Sequence, residues 1–96
     1  MKSYYLASLC KNGLLGGGLV ADETALHYHT NKLTVPPETR HIIMPYEEML
    51  RVVPGRLLCF ATLSFSMKDG KTWKYVVFGR RKLLERLQGH SVTISQ

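Results

Sequence analysis

The 96-residue sequence predicts a mainly β domain: a small barrel of about seven antiparallel strands, closed by one C-terminal α-helix. Three observations predict it. Short apolar stretches bounded by Gly, Pro and Asn-Gly or Asp-Gly recur along the chain, as expected for strands joined by turns. Apolar residues in Leu57 to Met67 alternate with period two. After Gly79 the period becomes that of a helix, with Leu83, Leu84 and Leu87 on one stripe and Arg80, Arg81, Lys82, Glu85 and Arg86 on the other side. One domain of this length can bury a core without a metal or disulfides.

In chain order, Tyr5 to Cys10 reads as the first strand and Asn12-Gly13 as a turn. Leu15 to Ala21 is the second strand, and its three glycines mark a bulge, a bend or the close approach of another backbone. Ala25 to Thr30 alternates, with Leu26 and Tyr28 facing one way and His27 and His29 the other. Asn31 to Thr39 is a loop, because Pro36-Pro37 cannot pair in a central strand. His41 to Met44 is the fourth strand. One helical turn over Tyr46 to Met49 follows, opened by Pro45 and favoured by the acids at its start.

Leu50 to Val53 is the fifth strand, ended by a turn at Pro54-Gly55. In the sixth, Leu57 to Met67, the odd positions Leu57, Cys59, Ala61, Leu63 and Phe65 face the core with the helix leucines, and Thr62, Ser64 and Ser66 face out. Asp69-Gly70 suits a type I′ hairpin, with both residues at positive φ. Thr72 to Phe78 is the last strand, with Trp73, Tyr75 and Val77 on one face. The helix runs from Arg80 to Gln88 and stops at Gly89.

The net charge of +6 is divided unevenly. Residues 1–50 sum to −1 and residues 51–96 to +7. The positive field therefore belongs to the C-terminal half, and Lys68, Lys71, Lys74, Arg80, Arg81, Lys82 and Arg86 are the candidate anion- or lipid-binding residues. Trp73 and Tyr75 beside Lys71 and Lys74 have the makings of a base-stacking surface, but a core-facing strand has the same alternation, so nucleic acid is not the expected partner.

No window approaches the roughly 18 apolar residues of a membrane span. The N-terminal apolar segment is short and has no small-residue cleavage site, so no secretory signal is expected. Cys10 and Cys59, with no C-x-x-C spacing, read as buried, reduced thiols of a cytoplasmic protein. His27, His29 and His41 could meet across a hairpin. They have no acidic or cysteine ligand at a fixed spacing, so no metal or cofactor is expected and the three read as exposed strand residues. No phosphate loop, nucleophile elbow or acid/base pair is present, which argues against an enzyme.

The order of elements resembles the pleckstrin-homology superfold, and the local wording resembles the GRAM family and its bacterial pleckstrin-homology-like relatives. The residues that carry the resemblance are Gly18-Leu19-Val20-Ala21-Asp22-Glu23-Thr24-Ala25-Leu26-His27-Tyr28, then Ile43-Met44-Pro45-Tyr46-Glu47-Glu48-Met49, then Leu63 to Phe78. The resemblance implies binding to lipids or proteins without catalysis. Lipid-binding members of the family grip phosphoinositides with basic residues on the first two strands and their loop. Here that loop offers only Lys11, and Leu15 to Ala21 has none. The expected function is therefore a binding or scaffolding module for a protein partner or for self-association. The alternative is an adaptor that meets anionic membrane surfaces through the basic C-terminal half.

Overall fold

The computed structural model describes residues 2–10, 13–31 and 35–95. Seven antiparallel strands form one sheet: β1 (Ser3–Cys10), β2 (Leu14–Ala21), β3 (Ala25–His29), β4 (His41–Pro45), β5 (Met49–Leu57), β6 (Phe60–Met67) and β7 (Thr72–Val77). Their order is β4-β3-β2-β1-β7-β6-β5, so the first and last hairpins meet where β1 pairs with β7. Among the described residues there are two helices, α1 (Pro37–Arg40) and α2 (Arg80–Gly89), and Tyr46–Glu48 form a 3-10 turn between β4 and β5. The result is a small, open, barrel-like sheet capped by α2.

The core is built from alternate positions: Ala7 and Leu9, Leu19 and Ala21, Leu26 and Tyr28, Ile42 and Met44, Leu63 and Phe65, Tyr75 and Val77. Leu83 and Leu87 of α2 are fully buried against this set, and Leu84 is half-buried at its margin. The ring of Tyr75 meets that of Tyr28 tilted at 43° and that of Phe65 edge-on, at centroid distances of 5.1 and 5.8 Å. The Tyr28 hydroxyl donates to the Leu15 carbonyl at 2.6 Å.

Two of the three glycines of β2 make room for rings. A Cβ on Gly17 would collide with the His29 carbonyl and press on the Tyr28 ring, and one on Gly18 would fall within the Tyr4 ring. The β1–β2 register runs from Ser3↔Ala21 to Cys10↔Leu14 without a slip, so close approach rather than a bulge accounts for Gly17 and Gly18.

Several expectations are corrected. Pro54-Gly55 does not turn the chain but runs through β5, pairing with Leu63 and Thr62. β5 is an edge strand, where the missing amide of Pro54 leaves no gap in a ladder. The sixth strand is not continuous from Leu57. The chain turns at Leu58-Cys59, with Leu58 left-handed at φ 56°, so Cys59 is exposed and Leu57 and Ala61 are only half-buried. Neither cysteine is buried: Cys10 is half-buried, and both are free thiols. Thr62 lies on the face opposite Leu63, as alternation predicts, but is fully buried there, paired with the buried Val76.

At Asp69-Gly70 only Gly70 takes a positive φ, 95°. Gly70 N–H bonds the Met67 carbonyl and the Asp69 carboxylate accepts from Lys71 N–H, which is a three-residue loop of type I turn plus bulge rather than type I′. At the end of α2 the left-handed residue is Ser91, at φ 61°, and not Gly89. Val92 N–H reaches the Leu87 carbonyl and Ser91 N–H the Gln88 carbonyl, a Schellman closure that buries Val92 beside Leu87. The loop expected over Asn31 to Thr39 contains α1, with Pro37 in its first turn. Residues 32–34 of that loop, and Lys11 and Asn12 of the first turn, lie outside the described residues.

Candidate functional site

The outward positions of the sheet fall into rows that the register defines. One row crosses the whole molecule: Leu57 opposite Phe60, then Phe78, Leu6, Gly18, His29 and His41. Phe78 N–H bonds the Leu6 carbonyl, and the Phe60 and Phe78 rings meet edge-on at 6.4 Å. The row is apolar at one end and carries imidazoles at the other.

At the apolar end, Leu58 is 85% exposed, Leu6 59%, Phe78 54% and Phe60 37%, with the exposed Tyr4 beside Leu6 over Gly18. A leucine at positive φ on a hairpin tip gains nothing by burial and occupies a backbone region that favours Gly or Asn. Outward positions on β1, β7 and β6 carry a single charge, Lys74, at the far end of β7. Large apolar side chains with few charges among them are what the centre of a protein interface contains.

At the other end Asp22 is the organising residue. It lies between β2 and β3, and one carboxylate oxygen accepts from Thr24 N–H at 2.9 Å and Ala25 N–H at 2.8 Å. Its other oxygen is 2.8 Å from His27 Nε2. Its carbonyl accepts from the Tyr46 hydroxyl at 2.9 Å and from Arg86 of α2 at 3.3 Å. The bonds from the Thr24 and Ala25 amides, then the His27 contact, hold the Asp22 carboxyl far below the ordinary carboxylate range. An ionised carboxylate only accepts, so His27 Nε2 carries a proton, and in the neutral ring Nδ1 then presents its lone pair. That nitrogen is 3.3 Å from His41 Nε2, and the His29 ring stands edge-on to His41 at 6.0 Å. Among the described residues, no three His, Cys, Asp or Glu side chains converge on one point in these rotamers.

The seven basic candidates do not form one surface. Lys68, Lys71 and Lys74 belong to the β6–β7 hairpin end, and Arg80, Arg81, Lys82 and Arg86 lie beyond the opposite end of β7. Within the helix group, Arg81 and Lys82 are exposed. Arg80 and Arg86, expected on the outer face of the helix, are half-buried and tie it to the barrel. Arg80 donates to the carbonyls of Gly55 (2.8 Å) and Thr62 (3.2 Å), and Arg86 donates to the Ser3 hydroxyl (3.0 Å) and the Asp22 carbonyl.

Alternation in the sequence was enough to place His27 and His29 on one face, and the pairing of β3 with β4 brings His41 beside them. The contribution of Asp22 required the turn between β2 and β3. The apolar end was missed because Leu57 to Phe60 reads as strand interior, whereas the structure bends it into a tip. No described helix is long and apolar enough to cross a membrane. Compared with protein-family models, curated proteins and solved structures, the chain matches none.

Proposed function

We propose that the chain is a non-catalytic binding module of the pleckstrin-homology-like, GRAM-like kind that docks a protein, including a second copy of itself, on the outward face of β1, β7 and β6. The carrying observation is the row Leu57–Phe60–Phe78–Leu6 with its exposed tip Leu58, on a face whose outward positions include one charge. Lipid head groups reward charge, whereas a protein partner rewards apolar area free of it. The two free thiols suit the cytoplasm.

Sedimentation over a wide concentration range tests the reading. Self-association is expected for the wild type and is lost in Phe78→Ser and Leu58→Asp, both of which change exposed side chains and leave the fold intact. A wild type that stays monomeric throughout would remove the second copy as the occupant.

One observation favours a second reading, an anionic membrane surface. Arg56, Arg81 and Lys82 are exposed at the same end of the sheet as Leu58 and Phe78. Co-sedimentation with vesicles containing acidic lipid separates the two readings. Binding through these charges falls steeply with salt, because screening acts within about 8 Å at physiological ionic strength, while a packed apolar contact persists.

A further inference from the structure

We infer that His27, His29 and His41 form a zinc-class metal site on the outward face of β3 and β4, with Asp22 positioning the ring of His27. The inference is independent of the protein-docking reading, since the two lie at opposite ends of the outward row.

Three features carry it. His27 and His29 are two apart on β3, so their side chains leave the same face, and His41 lies directly across the ladder from His29 on β4. An H-x-H on one strand with a third imidazole from its neighbour gives three ligands on one side of an ion and leaves the outer side open. Second, His27 Nδ1 and His41 Nε2 already face one another at 3.3 Å. Two nitrogens at that separation, each about 2.0–2.1 Å from a common ion, subtend about 107° at it, close to the tetrahedral angle that zinc adopts. Third, Asp22 supplies what the sequence lacked. Its carboxylate fixes the Nε2–H tautomer of His27 and leaves Nδ1 as the free donor atom, the carboxylate–histidine–metal arrangement that orients a ligand and raises its basicity. Asp22 is itself held by the Thr24 and Ala25 amides, Tyr46 and Arg86, so it is set before any ion arrives.

Without metal, His41 Nε2–H donates to His27 Nδ1, in line with His27 Nε2–H donating to Asp22. On binding, His41 moves its proton from Nε2 to Nδ1 through solvent, and the ion takes the place of the shared hydrogen between the rings. His29, exposed and 6.0 Å from the His41 ring, completes the set by a side-chain rotation. Imidazole ligands select zinc, copper, nickel and iron over magnesium and calcium.

The test uses the full chain without a histidine tag, stripped with chelator. Zinc titration is followed by calorimetry and by the thermal midpoint, and cobalt by its visible spectrum. We expect one zinc per chain, a raised midpoint and the intense absorption of tetrahedral cobalt. His27→Ala, His29→Ala and His41→Ala each weaken binding at least tenfold, and Asp22→Asn by roughly 10–100-fold, the usual effect of losing an outer carboxylate. His90→Ala, outside the site, leaves affinity unchanged. If an alanine variant fails to fold, the corresponding glutamine variant replaces it. Absence of zinc binding at a tenfold molar excess, or an affinity unaltered in any one of the three histidine variants, would overturn the proposal.

Discussion

Replacing Leu87 by Ala tests whether α2 is a plug that holds the barrel together. Leu87 is fully buried among core residues, and its carbonyl accepts the bond that closes the helix end. The substitution deletes three carbons, worth about 0.8 kcal/mol each as lost transfer energy. The cavity left behind adds to this and brings the expected loss to about 3 kcal/mol or more. For a domain of this size each kcal/mol moves the thermal midpoint by about 4–8 °C, so the midpoint should fall by at least about 12 °C. Leu84→Ala is the internal control. It makes the same chemical change in the same helix, but from a half-buried position, and about 1 kcal/mol is expected. Both changes install the same good helix former, so the difference reports burial. Urea titration followed by circular dichroism measures both. A loss at Leu87 below about 0.5 kcal/mol, or one no larger than that at Leu84, would refute the role given to α2.

Gly17→Ala should cost about 1–3 kcal/mol in urea titrations, because its Cβ meets the His29 carbonyl, whereas Gly16→Ala, with nothing near its Cβ, should be close to neutral. Arg81→Gln with Lys82→Gln should leave stability within about 0.5 kcal/mol, while Arg80→Ala should cost about 1–2 kcal/mol through its bonds to Gly55 and Thr62; equal effects in thermal melts would contradict the division of the basic residues. Asp22 has a folded-state pKa below its unfolded value, so its contribution is present above the unfolded pKa near 4 and is lost as pH falls below it. Stability measured from pH 7 to pH 2 should therefore decline less steeply in Asp22→Ala than in the wild type.

The seven strands and the capping helix could be read from the sequence because alternation and turn residues agree along most of the chain. Ala25 to His29 and Thr72 to Val77 show it best: their inward residues are those of the core. The misreadings arose where tertiary context overrode local chemistry. Leu58-Cys59 has no turn residue, and only the pairing of Leu57 with Phe60 reveals the reversal. Pro54-Gly55 has two turn residues, yet extends along an edge where a proline costs the sheet nothing. Ser91 takes a left-handed angle two residues after the glycine that local rules favour, because the bond to Leu87 closes there. At the site, the shared face of His27 and His29 is a property of strand alternation, but the place of His41 depends on the β3–β4 register and the bond from His27 to Asp22 on the geometry of a turn.

The stretch after α2 decides what the outer edge of β5 can offer to another strand. Val52 on the edge strand β5 donates to the Thr93 carbonyl and accepts from Ser95 N–H, so Ile94 sits beside it as a short parallel bridge. That bridge occupies hydrogen-bonding groups that would otherwise invite a foreign strand, and Pro54, two residues on, has no donor to offer. At the far margin, β4 is five residues long and ends in Pro45. Both rims of the sheet are thus poor templates for runaway strand addition, the route to fibrils.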